Sequence, residues 1–314
     1  LQTMRKHQSS FHHLELDFVG VTELSAIAAS KWIGKGDGKA ADKAAVDAMR
    51  RLFNRIDFNG TVVIGEGAKD ESFELYVGER IGTGDGPALD IAVDPLECTA
   101  SVAFGRPNAI TVIATAPRGM LYHAADSYME KLAVGPKAAK AIDLDAPPGD
   151  TVRKVAKALG KDVSEVTVAI LDRDRHQELI KEVRRSGARV QLFTDGDIAM
   201  AIAPSLPEPT ADLLIGAGGS AEAVLAAAAL RCLGGEILCR WKPKDESHVR
   251  RLKAAGITHY DKIFSTEDLA SGDDVTFTAT GVLPGPLLPG LTVTASHTTT
   301  HSVVMSLKPK VIRF

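Results

Sequence analysis

The second half of the chain alternates strand-like and helix-like segments with a regularity that few folds accommodate. The β-branched run VTVAILD (166–172) is followed by the amphipathic HQELIKEVRRSG. ARVQLF, TDGDIAMAIA, DLLIGA, the Ala-rich SAEAVLAAAALRCLGG and EILCRW come next. Alternation of this kind predicts helices covering a largely parallel sheet. Such sheets receive ligands beyond the carboxyl ends of their strands. Arg173, Arg175, Asp195, Asp197 and the pair Gly218 and Gly219 fall at those ends.

The first half is less regular. Helices are predicted over 21–33, with Thr22 as N-cap, and over 40–56, with Asp42 in the first turn. Strands are predicted at 61–64, 89–93 and 109–116, with a helical piece near 71–76. The run RGMLYHAADSYMEKLAVGP reads as a short strand, a connection carrying Tyr128, and a second strand. The tail from Asp274 holds three β-like runs separated by GVLPGPLLPG, where Pro-Gly pairs force turns. The expected class is α/β, with α+β elements in the first half. DAPPGD is the clearest linker-like segment, so the domain boundary is expected between residues 146 and 166, giving domains at 1–160 and 161–314.

Composition narrows the function. A net charge of -3 and 5% aromatic residues supply neither a basic face nor stacking platforms, so nucleic acid is not expected as a partner. No apolar run approaches the roughly 20 residues of a membrane span. The start, LQTMRKHQSSFHH, has no apolar signal core and reads as a ragged end. Cys98, Cys232 and Cys239 are too few and too irregular for a disulfide framework or a zinc cluster. A reducing, cytoplasmic setting is therefore expected, although a bond between Cys232 and Cys239 is sterically conceivable.

The acidic residues sit where stability does not ask for them. IAVDPLECT puts Asp94 at a strand end with Glu97 and Thr99 just after it; TVVIGEG brings out Glu66, and QLFTDGD brings out Asp195 and Asp197. Each alone reads as a turn or capping carboxylate. As a set they repel one another unless a cation holds them together. Hydrolysis of a phosphate monoester needs an activated water, neutralised equatorial oxygens and a stabilised leaving alkoxide, which a pair of divalent ions supplies. Carboxylates without a histidine cluster favour Mg2+ or Mn2+.

Asp42, Glu66, Asp94, Glu97 and Glu222 are the proposed ligands, with Pro95 fixing the chain after Asp94. Thr99 opens the next helix, where its N–H can hold a phosphate oxygen and its hydroxyl can orient water. Glu222 follows GAGGS, whose glycines would let backbone N–H groups approach an anion; the alternative is a capping acid at Ser220. Arg173 and Arg175 suit a second phosphate, or else pair with neighbours. Asp195 and Asp197 suit sugar hydroxyls, and Tyr128 a phosphate. His176, His297 and His301 read as surface or hydrogen-bonding residues.

GEGAKDE, VGERIGTGDGPALDIAVDPLECT, DSYMEKLAVGP, RDRHQELI, TDGD, GAGGSAEAVLAAAALRCLGG and TFTATGV resemble class II fructose-1,6-bisphosphatase over almost the whole chain. This is the bacterial type that in cyanobacteria also acts on sedoheptulose 1,7-bisphosphate, within the lithium-sensitive sugar phosphatase superfamily. The resemblance implies a layered α-β-α-β-α fold and metal positions at Asp42, Glu66, Asp94, Glu97 and Glu222. It implies substrate contacts at Glu97, Cys98 and Thr99, at Tyr128, at Arg173, Asp174 and Arg175, at Asp195, Gly196 and Asp197, and at Gly219. Residues 1–160 would then bind the metal and the 1-phosphate, and 161–314 the sugar phosphate. Dimers or tetramers are implied as well.

Two departures stand out. Cys98 occupies the usual Gly of the D-P-x-E/D-G-T motif, and Asp174 stands where Pro is common. Hydrolysis of the 1-phosphate of fructose 1,6-bisphosphate is the expected activity. The alternatives are sedoheptulose 1,7-bisphosphatase activity and a weakened relative that binds sugar phosphates to regulate a partner.

Overall fold

The structure, a computed structural model, describes residues 2–66, 74–308 and 310–313. It divides into two compact units, Leu1–His123 with Ser271–Phe314, and Ala124–Ala270.

The first unit opens with α1 (Gln2–Ser30), so the start of the chain is helical rather than ragged. Thr22 lies mid-helix and fully buried; its Oγ1 donates to Val19 O at 3.0 Å or meets Thr280 Oγ1 at 2.8 Å. It back-bonds like an interior threonine and does not cap. Helix α2 (Gly38–Phe53) is capped by Asp37, which accepts from Ala40 N at 2.9 Å. The helix therefore starts earlier than expected, and Asp42 lies beyond its first turn. Strands β1 (Asn59–Ile64), β2 (Arg80–Ile81) and β3 (Ala88–Glu97) follow, then α3 (Thr99–Phe104) and β4 (Ala109–Pro117). The helical piece expected at 71–76 falls partly outside the described residues. Helices α1 and α2 lie against this sheet through Phe18, Phe53 and Phe58, whose rings meet edge-on at 5.4–6.0 Å. Each such buried ring contributes roughly 1.5–3 kcal/mol.

The second unit runs β5 (Tyr128–Val134), α4 (Pro148–Leu159), β6 (Thr167–Leu171), α5 (Gln177–Arg185), β7 (Arg189–Phe193) and α6 (Asp197–Ile202). It continues with β8 (Leu213–Gly219), α7 (Ser220–Leu233), β9 (Glu236–Trp241), α8 (Glu246–Ala254), β10 (Ile263–Phe264) and α9 (Thr266–Leu269). Every element expected between residues 166 and 241 is present. Tyr128 opens β5 rather than lying in a connection. The six strands are ordered β10-β9-β5-β8-β6-β7; β9, β8, β6 and β7 run in one direction, and β5 and β10 run against them. The sheet is mixed because β5 inserts antiparallel between β8 and β9, a pairing that hydrophobic period does not encode. Helices α4 and α5 bury Val152, Val155, Ile180 and Val183 against Leu132, Val168 and Ile170. Lys131, the neighbour of Leu132, points to the other face, as strand alternation requires.

Cys232 and Cys239 are not joined by a disulfide and are fully buried, and burial pushes the Cys239 thiol up to about 12. Neither should react with Ellman's reagent at pH 8 until denaturant is added, because the thiolate is the nucleophile. Rapid labelling of the native protein would contradict this burial.

After the second unit the chain returns with β11 (Thr276–Leu283), β12 (Thr292–Val293), β13 (Thr298–Thr299), β14 (Ser302–Ser306) and β15 (Val311–Arg313). A seven-stranded sheet results, β15-β14-β11-β4-β3-β1-β2. This corrects the expected boundary. Pro147 and Pro148 of DAPPGD form the N-terminus of α4 inside the second unit, and the tail completes the first unit's sheet. Proline suits a first helical turn as well as a linker. The α/β class holds. Among the described residues no helix is long and apolar enough to cross a membrane.

Candidate active site

In the first unit, Asp94 and Glu97 flank an irregularity in β3. The pairing of β3 with β4 shifts register between Asp94 and Glu97, where the chain bulges through Pro95. Asp94 Oδ1 accepts from Leu96 N at 3.1 Å and closes that bend. Ser25 Oγ of α1 lies 3.1 Å from Pro95 O and 3.0 Å from Ala45 O of α2, so one hydroxyl fixes the bulge against both helices. Asp42 projects half-buried from α2. Glu66 follows β1, with its N–H donating to Leu75 O at 3.1 Å. Glu97 is buried at 5% exposure.

Cys98 turns the chain from β3 into α3 at φ 73°, ψ 51°, the left-handed conformation that glycine adopts without cost. Thr99 thereby becomes the first residue of α3, as expected. Cys98→Gly should stabilise the fold by about 1 kcal/mol, readable as a higher urea midpoint at unchanged m-value. An unchanged or lower midpoint would mean that the side chain's packing outweighs the strain.

In the second unit, β6, β7 and β8 are parallel and β5 is antiparallel to β8 with Tyr128 opposite Gly219. Arg173, Asp195, Gly219 and Tyr128 therefore share one edge of the sheet. Arg175 donates from Nε and Nη2 to Ala217 O at 3.1 and 2.6 Å, and its guanidinium lies 5.0 Å from the Tyr128 ring centre. Arg173 Nη1 donates to Asp172 O at 2.9 Å. Asp174 is exposed and opens a single 3-10 turn ending at His176. Burial raises the Asp195 pKa, opposed by Arg173. Gly196, at φ 96°, turns the chain into α6, and Asp197 is that helix's first residue.

His176 is buried rather than on the surface. Its Nδ1 lies 2.7 Å from Leu171 O and its Nε2 accepts from Ala217 N at 2.9 Å, an arrangement that fixes the neutral tautomer. Burial lowers its pKa. His297 and His301 are exposed.

Lys131 is the residue that periodicity did not reveal. It is 2% exposed and holds Asp197 Oδ2 at 3.0 Å. Burial works against its charge, yet Asp197 and Glu222 together raise its pKa. Glu222 lies in the first turn of α7, whose N-cap is Gly219; Ser220 Oγ is committed to Ala125 O at 2.6 Å, while the Glu222 carboxylate meets its own backbone N–H at the helix start. Burial raises the Glu222 pKa, Lys131 opposes the shift, and Oε2 is shielded from solvent without a hydrogen-bond partner. An inward Lys in the apolar strand YMEKLAV was the available signal.

The glycines of GAGGS make room for these side chains. A Cβ on Gly218 would lie 1.8 Å from Asp197 Oδ2, and one on Gly219 would lie 2.1 Å from Glu222 Oε2. They thus seat two carboxylates. Gly218→Ala should cost about 1–3 kcal/mol by displacing Asp197 from Lys131. A melting temperature equal to wild type would show that Asp197 moves aside freely.

Four of the proposed metal ligands belong to the first unit and Glu222 to the second. Among the described residues, no group of three or more His, Cys, Asp or Glu side chains is gathered closely enough to hold a metal ion. The donor chemistry nevertheless fits a hard divalent cation, because every proposed ligand is a carboxylate and the shielded Glu222 Oε2 lacks a partner.

The family model described as "Bacterial fructose-1,6-bisphosphatase, glpX-encoded" matches residues 12–314. The chain belongs to this family. It is 43% identical to "Fructose-1,6-bisphosphatase 1 class 2" of Escherichia coli over 96% of this chain and 93% of that protein. "Fructose-1,6-bisphosphatase class 2" of Shigella flexneri matches with the same identity and the same coverage. A solved structure titled as an extragenic suppressor from Pyrococcus furiosus aligns over 56% of this chain and 63% of its own, with 17% identity and a TM-score of 0.29. The family is one of phosphoric monoester hydrolases acting on a sugar bisphosphate, and its members are metal-dependent.

Proposed function

We propose that this chain hydrolyses the 1-phosphate of fructose 1,6-bisphosphate to give fructose 6-phosphate and inorganic phosphate. The observation that carries the reading is the 43% identity to class 2 fructose-1,6-bisphosphatases over 96% of the chain. In this reading Asp42, Glu66, Asp94, Glu97 and Glu222 hold Mg2+ or Mn2+. When bound, such ions neutralise phosphoryl oxygens and acidify water. The Thr99 hydroxyl, beside the Glu97 carboxylate in sequence, orients the attacking water, and the Cys98–Thr99 turn offers backbone N–H groups to the 1-phosphate. The strand-end cations Arg173 and Arg175 take the distal phosphate with Tyr128. Asp174 adds a negative charge beside that phosphate and sets the arginines' orientation through the turn it opens. Asp195 and Asp197 accept from sugar hydroxyls, with Gly196 and Gly219 giving the sugar close backbone approach.

Release of phosphate should be measured for fructose 1,6-bisphosphate, sedoheptulose 1,7-bisphosphate and inositol monophosphate, with Mg2+ and Mn2+ titrated separately. Turnover of the fructose ester with either ion is the expected result, and no turnover with both overturns the reading. A cytoplasmic homodimer or homotetramer belongs to the same proposal, tested by light scattering of the eluted protein.

A further inference from the structure

Within the second unit, a cavity of about 440 Å³ lies beside the strand edge that carries Tyr128 and Arg175. Its volume is that of a small-molecule site. Its wall and its mouth differ in chemistry. Leu132, Leu144, Leu179 and Ile215 supply apolar surface, and all but Leu132 remain only half-buried although they pack on the unit's core. A sugar bisphosphate, hydroxylated along its length, gains nothing from such a wall. Apolar atoms of a ligand would gain about 25 cal/mol for each Å² they remove from water.

The mouth is cationic. Arg175, Lys242 and Lys244 are exposed there, facing Glu130 and Asp143. Glu130 is already paired with Arg240 Nε at 2.5 Å and Lys242 Nζ at 3.5 Å, and Asp143 Oδ1 accepts from Asp145 N at 3.0 Å. Lys244 Nζ lies 5.8 Å from the Tyr128 ring centre, on which the Arg175 guanidinium also rests at 5.0 Å. Arg175 spends Nε and Nη2 on Ala217 O, which leaves Nη1 for a ligand.

We infer that this cavity binds a small amphiphilic anion, an apolar body carrying a phosphate or carboxylate, and that its occupant competes with the substrate's distal phosphate. The competition rests on the assignment of Tyr128 and Arg175 to that phosphate; the binding does not. The apolar body fills the Leu144, Leu179 and Ile215 wall, and the anion takes Arg175 Nη1 and Lys244.

The test uses 1-naphthylphosphonate, an apolar ring on a phosphonate that a phosphatase cannot cleave. Isothermal titration of the full chain should give one site. Lys244→Glu should weaken it at least roughly tenfold, and Leu179→Trp should abolish it by filling the cavity. Both variants should keep wild-type melting, Leu179→Trp should also keep wild-type turnover, and the probe should raise the KM of the wild type for fructose 1,6-bisphosphate at constant kcat. No binding to wild type, or equal binding to both variants, overturns the site. A fall in kcat at constant KM overturns the competition. Probe binding by protein inert towards the sugar ester supports the cavity and counts against the proposed function instead.

Discussion

Asp94→Asn is expected to lower kcat for phosphate release roughly a thousandfold, about 4 kcal/mol of transition-state stabilisation. The substitution is close to isosteric, and the amide oxygen still accepts from Leu96 N, so the bend between β3 and α3 is retained. What is lost is one negative charge at the register break where β3 also presents Glu97. Melting should therefore change little while Mn2+ affinity, read by titration calorimetry, falls together with turnover. Wild-type phosphate release from the variant would remove Asp94 from the metal assignment. Loss of both activity and folding would recast it as a structural residue of the bulge.

Lys131→Met should cost about 3–5 kcal/mol of folding stability, the expense of leaving buried carboxylate charge without its partner. Lys131 and Asp197 are 2% and 13% exposed, so solvent screens their interaction little, and Glu222 leans on the same ammonium. Urea unfolding checks the magnitude. Adding Asp197→Leu should recover part of the loss, since an apolar pair of similar volume replaces the ion pair at little net cost. Recovery stays partial because Glu222 keeps no compensating charge. Additive losses in the double variant would mean that the ion pair contributes nothing of its own.

Much of the candidate site was legible because its chemistry sits at strand ends. Strand ends are marked by the change from β-branched residues to Gly, Pro and Asp, so Arg173 and Asp195 could be placed from local composition, whereas Asp94 lies within β3 at its register break and not at the strand end expected for it. Residue 98 was singled out by the family resemblance, which has glycine there, and the structure gives Cys98 the left-handed φ of 73°. Lys131 was not. In sequence it is one polar residue in an apolar strand, and only the convergence of α6 and α7 on β5 brings Asp197 and Glu222 to it. The GAGG glycines were read as open backbone; they also seat the Glu222 carboxylate three residues on and the Asp197 carboxylate from α6, 21 residues earlier, and the second of these no local rule shows.

The sequence by itself determined the family, the elements from residue 166 to 241 and the acidic strand ends, because periodicity and turn chemistry are local and survive without a fold. Tertiary structure decided the division of the chain. β11 pairs with β4, more than 150 residues earlier, as in Thr276 with Thr115, and that pairing takes the tail away from the segment it follows. It also decided the strand directions of the second sheet and the burial of Lys131. These are long-range outcomes, set by which apolar faces find each other, and a linear pattern records only that such faces exist.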